Sequence, residues 1–261
     1  MVTCAFLVLL ACVIFGPFVN LGLWAVAEKW YFPAKLPLEY GFSFWERVFR
    51  PQGRAMESLW LSIFIALATV AASLALSIPA GYALGRRSVP FRWLIMLAFL
   101  LPQALPSITI FANVGRIFYS FGLNGTVLGV VMVHTAHGLV LSVWICAASF
   151  ASVNRETEEA ARNMGASPFR AFLDVTLPQA APGIMASAIF VFLASLDEFT
   201  GVYFVGIPEI HTLPILLFTA SMEGNYQIAS ITALILLVPS VLFMLFIERF
   251  LRADVLAKVG A

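Results

Sequence analysis

Asp197 and Glu198 are adjacent carboxylates inside an otherwise apolar stretch of the sequence, FLASLDEFTGVYFVG. A charged side chain within a membrane-crossing segment costs about 2.5–3.5 kcal/mol on insertion, so its presence needs a reason. One interpretation is a cation-attracting element in a solute pathway. The other is structural: the acid caps a broken helix near Gly201 or pairs with a buried donor. Neighbouring residues point about 100° apart on a helix, so at most one of the two faces a pore squarely.

Two histidines three residues apart, His134 and His137, share one face of a helix. A metal site would need further ligands, and none accompanies them, so interhelical hydrogen bonding is favoured and substrate contact is the alternative. Trp144 could line a vestibule, although an aromatic residue in an apolar helix more often packs against its neighbours. The cysteines lie in apolar runs without metal or disulfide spacing, which favours a role as small hydrophobic residues, at Cys4, Cys12 and Cys146.

The segments that must position these residues are very apolar. Hydrophobic residues make up 61% of the chain and charged residues 11%, against about 45–50% and 25% in soluble domains. Because a membrane-crossing helix needs about 20 apolar residues, the sequence predicts an all-α polytopic membrane protein with six transmembrane helices. The six apolar runs are 5–26, 58–84, 94–113, 126–150, 184–205 and 228–250. The net charge of +1, without a basic patch, gives no indication of a nucleic-acid partner.

The first run ends in Ala25-Val26-Ala27, which is typical of a secretory signal. No positive residue precedes the run, however, and its length exceeds the usual core of about 7–15 residues. A retained helix is therefore favoured over a cleaved signal.

Lysine and arginine counts in the connections predict the orientation. The loops 85–93 and 151–183 carry three arginines each, and the C-terminal end carries Arg249, Arg252 and Lys258. These loops and the tail 251–261 are therefore predicted to lie in the cytoplasm, together with the N-terminus. The segment 27–57 carries five basic residues and four glutamates, and whether it forms a structure of its own stays open.

The longest polar stretch in the second half of the chain, EEAARNMGASPFRAFLDVTLPQAAPG, predicts two short helices. Asn154 is suited to cap the first helix, and Gly165 to end it in a left-handed conformation. Ser167-Pro168 begins the second helix, and Leu177-Pro178 ends it. One interpretation is a helix–turn–helix that docks in a groove of a partner protein. The alternative is an amphipathic connector on the membrane surface, which would carry more lysine and arginine.

The spacing of Glu159-Ala160-Ala161, Gly165, Val175 and Leu177-Pro178 resembles the EAA signature of ABC-importer permeases, with Val175 in the place of the usual isoleucine. The resemblance extends from about residue 58 onward. It implies that the loop 151–183 forms a cytoplasmic coupling helix between transmembrane helices 4 and 5, which docks on an ATPase subunit. The coupling residues implied in this way are Glu158, Glu159, Ala160, Ala161, Gly165, Ser167, Pro168, Phe169, Leu177 and Pro178.

The resemblance also implies partners. The sequence has no GxxxxGK[ST] run, so we expect no ATPase site and no enzymatic activity in this chain, and no cofactor of its own. A cytoplasmic ABC ATPase dimer would use ATP and magnesium, and a second homologous permease subunit, or a second copy, would complete the pore. An extracytoplasmic solute-binding protein would deliver the solute, and the location would be the bacterial inner membrane. The expected organisation is a first helix with an external segment at 1–57, a permease core at 58–250 and a cytoplasmic tail at 251–261.

The stretch SLDEF…FVGIPEIHTLPILLF resembles the spermidine/putrescine branch of these permeases, with Glu198 in the place of a second aspartate. Molybdate and ferric-iron permeases carry a related Leu-Gly-Glu-Phe run, so the acid at 198 alone does not prove a cationic substrate. A polyamine is the preferred substrate, and another small organic solute, an inorganic anion or iron are the alternatives. The expected pathway residues are Asp197, Glu198, Trp144 and His137.

Two other function classes fit the sequence less well. An ion-coupled secondary transporter would show inverted repeats, and the two halves of the sequence show no convincing one. An intramembrane enzyme would need a run such as HExxH or GxSxG, and the sequence contains neither. Pro102 and Pro106 are expected to interrupt the third span, and the segment 209–226 is too short to cross a membrane, so it is either an external lid or a packed loop.

Overall fold

The chain folds almost entirely into helices. The computed structural model describes the backbone of residues 2–259 and the side chains of residues 6–249. The first elements are α1 (Val2–Ala25), β1 (Ala27–Lys29), β2 (Glu39–Tyr40), α2 (Ser43–Phe49), a 3-10 turn (Pro51–Gly53), α3 (Ala55–Arg86), α4 (Arg92–Ala104), α5 (Ser107–Ser120) and α6 (Val127–Ser152). They are followed by α7 (Arg155–Asn163), α8 (Pro168–Ala171), a π-helix (Phe172–Thr176), α9 (Leu177–Asp197), α10 (Thr200–Val205), α11 (Leu213–Met222) and α12 (Tyr226–Val259).

Within the described residues, five helices are long and apolar enough to cross a membrane, and a sixth span results if α4 and α5 are taken as one. The predicted fold class is confirmed. The third span is not a continuous helix, because α4 and α5 meet at an angle of 97°. Leu105, between them, has an extended backbone with ψ 147°, which is the conformation that the following Pro106 favours. The predicted interruption at the prolines is therefore confirmed.

The fifth span differs from its predicted position at 184–205. Helix α9 ends at Asp197, Glu198 has an extended backbone with ψ 108°, and the separate helix α10 follows. At its other end α9 begins at Leu177, with Pro178 in its first turn. The predicted span began too late because the alanines, glycine and prolines of PQAAPG are only weakly apolar, yet they are compatible with a helix here.

The chain divides into two compact units. Unit 1 comprises Met1–Ser62 and His211–Pro239, and unit 2 comprises Ile63–Ile210 and Ser240–Ala261. The predicted core at 58–250 is thus shared between the two units.

The segment 27–57, in unit 1, forms structure of its own. Strands β1 and β2 pair antiparallel, and the indole N–H of Trp45 donates a hydrogen bond to the carbonyl of Ala25 at 2.7 Å. Helix α11, in the segment 209–226, buries Leu213 and Ile215 almost completely, which supports the packed-loop interpretation of that segment. The buried core of this unit consists of Ala25, Val48, Ala55, Leu213 and Ile231.

Unit 2 is held together by a seam of small and hydroxyl residues between α3, α6 and α9. The Ser142 hydroxyl donates to Ser77 at 2.7 Å, and the Ser187 hydroxyl donates to Ser142 at 2.8 Å, so one hydrogen-bonded chain joins all three helices. Small side chains let membrane helices approach closely, and this packing drives their association. The seam residues recur at four-residue intervals, at Thr69, Ser73, Ser77, Gly81 and Gly85 on α3 and at His134, Gly138, Ser142 and Cys146 on α6.

At Gly81, α3 lies too close to α6 to leave room for a side chain. A Cβ atom added there would lie 2.6 Å from the Cβ of Cys146 and 2.9 Å from the backbone nitrogen of Ala147. We expect Gly81→Val to lower the free energy of unfolding by about 1–3 kcal/mol, because the two helices must separate. Reversible unfolding of the purified protein in mixed micelles measures the change.

Gly16→Val is the matched control, since a Cβ at Gly16 in α1 meets no atom within 4 Å. Equal destabilisation by the two variants would show that the close approach at Gly81 does not limit stability.

Candidate functional site

The predicted caps of the polar loop between α6 and α9 are confirmed. The side chain of Asn154 accepts a hydrogen bond from the backbone N–H of Glu156 at 2.9 Å and so begins α7. Gly165 follows α7 with φ +94°, a conformation that residues with a side chain rarely adopt. The Ser167 hydroxyl accepts from the N–H of Arg170 at 3.3 Å and begins α8. The chain therefore reverses sharply between two short helices, as the sequence predicts.

The predicted end of the second helix at Leu177-Pro178 is wrong. After α8 the chain continues through the π-helix Phe172–Thr176, in which the N–H of Leu177 donates to the carbonyl of Phe172, and then directly into α9. The wider turn accommodates Pro178, which lacks an N–H and would crowd the carbonyl four residues earlier in a regular α-helix. The second half of the loop is consequently one continuous helical rod with the fifth span.

Glu158 connects α7 to α3 and to the π-helix. Its Oε2 atom pairs with Nη2 of Arg86 at 2.5 Å and accepts from the hydroxyl of Thr176 at 3.1 Å. The same arginine donates through Nη1 to the carbonyl of Val153 at 2.7 Å, and the Tyr82 hydroxyl lies 3.5 Å from Oε1 of the glutamate. Only 6% of the Arg86 side chain and 15% of the Glu158 side chain are exposed. We call this group, Arg86, Glu158 and Thr176, the clasp.

The clasp is the feature that sequence reasoning missed. The carboxylate of Glu158, one of the implied coupling residues, is paired with Arg86 within this chain. The two residues are 72 positions apart, and no local pattern connects them.

The clasp lowers the pKa of Glu158. Burial alone would raise this pKa, but the hydrogen bonds from Arg86 and Thr176 and the charge of Arg86 together bring it below the ordinary value of 4.5. The carboxylate is therefore ionised at neutral pH, and the folded state favours its charged form.

The outward surface of the loop is apolar with a charged rim. Met164 is 83% exposed, Phe169 71% and Leu173 41%, next to the exposed Glu159 and Ala160. We call these five residues the loop face.

The apolar side chains between Phe169 and Leu173 lie on two sides of the loop. The ring of Phe172 turns inward, with its centroid 5.0 Å from that of Tyr82, whereas Phe169 and Leu173 remain on the loop face. Among the other expected coupling residues, Gly165, Ser167 and Pro168 are exposed at the reversal, Ala161 and Leu177 are half-buried and Pro178 is exposed.

Two of the four expected pathway residues come together at a cavity of about 590 Å³ in unit 2. His137 and Glu198 both line it, among mostly apolar side chains from α4, α5 and α6. Trp144 does not line this cavity, and its indole N–H donates to the carbonyl of Met96 at 3.1 Å. Asp197 does not line it either and is exposed at the end of α9. The structure therefore brings only His137 and Glu198 of the expected pathway residues together, and their role in a pathway stays a prediction.

Glu198 also has a structural role. Its Oε1 atom accepts a hydrogen bond from the backbone N–H of Gly201 at 3.0 Å, which confirms the capping interpretation at the break between α9 and α10. His134 is buried and its Nδ1 atom lies 2.7 Å from the hydroxyl of Ser195 on α9, so interhelical hydrogen bonding is confirmed for this histidine. Among the described side chains, no group of three His, Cys, Asp or Glu residues could hold a metal ion.

Comparison with known proteins decides the family. The sequence pattern of the family described as "binding-protein-dependent transport system inner membrane component" matches residues 77–255, more than half of the chain. The chain belongs to this family of transport permeases. The matched range of this permease includes the clasp, the loop face and the cavity.

Two relatives and one solved structure are similar to this permease. The trehalose transport system permease protein SugB of Mycobacterium tuberculosis is 31% identical over 193 residues, covering 72% of this chain and 70% of the relative. A putative 2-aminoethylphosphonate transport system permease protein, PhnV of Salmonella typhimurium, is 26% identical over 221 residues and covers 82% of each chain. A chain of a bacterial ABC transporter involved in the import of the acidic polysaccharide alginate shares the fold, with a TM-score of 0.73, 17% identity and 95% coverage of both chains.

We expect Glu158→Gln to loosen α7 from the rest of unit 2, because the charge-assisted bonds of the clasp contribute about 1.5–3 kcal/mol. Hydrogen exchange at pH 7 should show faster exchange of the amides of residues 155–164. Glu156→Gln, an exposed glutamate in the same helix, is the matched control and should leave exchange unchanged.

The pH dependence of the clasp follows from the lowered pKa of Glu158. The stability it contributes is fully present above pH 4.5 and is lost as the pH falls through the lower pKa of the folded state. The difference in unfolding temperature between the wild-type protein and Glu158→Gln should therefore shrink below pH 4.5. A constant difference down to pH 3 would argue against an ionised clasp.

Proposed function

We propose that this permease is the transmembrane subunit of an ABC importer that forms half of a translocation pore and receives its driving motion through the loop between α6 and α9. The observation that carries this proposal is the continuity of α8, the π-helix and α9. Phe169 and Leu173 of the loop face lie on helical backbone that runs without a break from Pro168 to Asp197, so a displacement there would be passed to the span that ends beside Glu198 and the cavity.

The loop face is suited to a partner with an apolar groove. It presents a methionine and a phenylalanine that are largely exposed, with Glu159 and Arg162 beside them. Exposed aromatic and methionine side chains with a polar rim are typical of protein interfaces. We infer that the partner is a cytoplasmic ATPase dimer, which uses ATP and magnesium.

The remaining partners follow from the same proposal. A second permease subunit would complete the pore, and an extracytoplasmic solute-binding protein would deliver the solute. The chain would lie in the bacterial inner membrane with both termini in the cytoplasm, as the arginine distribution indicates.

For the substrate we propose a small polar organic solute such as a sugar or an aminoalkyl phosphonate, in preference to a polyamine. The relatives described above are named for trehalose and for 2-aminoethylphosphonate. The polyamine interpretation depended mainly on Asp197, which does not line the cavity, and Glu198 is partly satisfied by the N–H of Gly201. A single, partly engaged carboxylate is weak support for a polycation.

We expect Glu159→Lys and Gly165→Pro each to abolish substrate-stimulated ATP hydrolysis of the reconstituted importer. The first variant reverses a charge on the loop face. The second cannot adopt φ +94°, because proline is restricted to φ near −65°, so the reversal between α7 and α8 is lost.

Glu156→Lys is the control for charge reversal, because it changes an exposed glutamate of the same helix outside the loop face. It should retain coupled hydrolysis. Normal transport by either test variant, with wild-type assembly, would contradict the docking proposal.

Uptake in cells with and without the chain should identify the substrate class. We expect deletion to abolish uptake of labelled trehalose or 2-aminoethylphosphonate and to leave putrescine uptake unchanged. Asp197→Asn should retain uptake, since that side chain lies outside the cavity. Loss of putrescine uptake on deletion, reproduced by Glu198→Gln, would instead support a polyamine, because glutamine preserves the cap on Gly201 and removes only the charge.

A further inference from the structure

Unit 1 contains a second cavity, of about 450 Å³, that the proposed function does not use. On one side the cavity is bounded by α2 and the 3-10 turn that follows it. On the other side it is bounded by α11, the start of α12 and the segment that joins them. This volume is within the range of about 300–1,000 Å³ that is usual for small-molecule sites. The lining residues are Arg47, Val48, Arg50, Gln52, Gly53, Ala55, Leu216, Thr219, Ala220, Glu223, Asn225, Ile228 and Thr232.

Two guanidinium groups on the α2 side of this cavity are available for an anion. Arg47 lies over the ring of Phe44 at 4.9 Å from the centroid. Arg50 is 3.8 Å from Glu46, and since both side chains are about two-thirds or more exposed, this pair holds the arginine only weakly. Arg54, the third arginine of the segment, does not line the cavity and is bound to Glu57 through two contacts of 3.1 and 3.2 Å.

A carboxylate enters the same cavity from a different element. Glu223 directly follows α11, close to Thr219 and Asn225, which also line the cavity. Within the side chains that the structure describes, its carboxylate has neither a hydrogen bond nor an ion pair. The cavity thus combines two positively charged arginines on one segment with an unpaired carboxylate on another. Its apolar lining includes Val48, Leu216 and Ile228.

We propose that this cavity binds a zwitterion that carries a phosphate or phosphonate group and a primary ammonium group. The guanidinium fork matches phosphate oxygens in a bidentate geometry, and the exposed carboxylate of Glu223 accepts N–H bonds from an ammonium group. A purely anionic ligand would leave the carboxylate of Glu223 without a partner, and a purely cationic ligand would be repelled by the two arginines. The combination selects a molecule that has both charges.

Two kinds of molecule carry both a phosphate or phosphonate group and a primary ammonium group. One is the headgroup of phosphatidylethanolamine, and the other is a free aminoalkyl phosphate or phosphonate. The position favours the lipid, because the cavity lies at the first turns of the two apolar helices α3 and α12. Aromatic residues that are typical of a membrane interface lie at the start of α12, where Trp24 is stacked on Trp30 at 4.3 Å and is 5.2 Å from Tyr226.

Native mass spectrometry of the full-length permease, purified in detergent and mixed with defined lipids, tests the proposal. We expect phosphatidylethanolamine to bind at least about fivefold more tightly than phosphatidylglycerol, which lacks the ammonium group. Arg47→Gln should weaken phosphatidylethanolamine binding about tenfold, since it removes a charge-assisted contact with the phosphate. Glu223→Gln should remove the preference for phosphatidylethanolamine over phosphatidylglycerol.

Arg54→Gln and Glu57→Gln are the matched controls, because they make the same charge changes at a pair outside the cavity. Both should retain wild-type affinity and preference. Calorimetric titration with O-phosphorylethanolamine distinguishes the sources: binding that depends on Arg47 and Glu223, without retention of the lipid, assigns the site to a free zwitterion.

Two results would overturn the proposal. The first is that neither phosphatidylethanolamine nor O-phosphorylethanolamine responds to Arg47→Gln or Glu223→Gln. The second is that Arg54→Gln weakens binding as much as Arg47→Gln, which would show an effect of net charge alone. Because these measurements use binding and not uptake, they fail independently of the proposed transport function.

Discussion

The arrangement of the loop depends on one ion pair, between Arg86 and Glu158. The charged side chains are largely removed from solvent, so each requires the other, and separating them would leave a buried charge without a partner. Because Arg86 ends α3, Glu158 belongs to α7 and Thr176 belongs to the π-helix, a single carboxylate fixes three elements that are distant in the sequence. The loop face keeps its orientation because the opposite side of α7 is held in this way.

The interior of unit 2 extends the same connection into the apolar region. Helix α3 carries the arginine of the clasp at its end and the hydroxyl of Ser77 further along, and Ser142 and Ser187 link it to α6 and α9. Hydrogen bonds and close contacts between small residues, rather than burial of large side chains, hold such helices together in a lipid environment. The helix that continues from the loop and the helix that anchors it are therefore also joined to each other.

The sequence was sufficient for the features that depend on local chemistry. Apolar run lengths predicted the spans, and the capping roles of Asn154, Gly165 and Ser167 were predicted because each depends on a few neighbouring residues. The continuation of the helix through Pro178 was not predictable, since it requires a π turn that no short pattern specifies. The partner of Glu158 was also not predictable, because an ion pair over 72 positions depends on how the helices pack. The cavity illustrates the same limit, because which side chains line it depends on how α4, α5 and α6 pack.

The π-helix between the loop and the fifth span affects the direction in which the side chains of α8 point around the helix axis. Each residue of an α-helix turns the chain by about 100°, whereas a π turn takes one more residue for the same hydrogen-bonded closure. The extra residue at Phe172–Thr176 therefore determines which way α8 points relative to α9, with Phe172 directed inward and Phe169 outward. Conversion of this turn between π and α geometry would rotate α8 about the axis of the span. The continuous helix from α8 to α9 can in this way transmit a rotation of the loop as well as a shift along the helix axis.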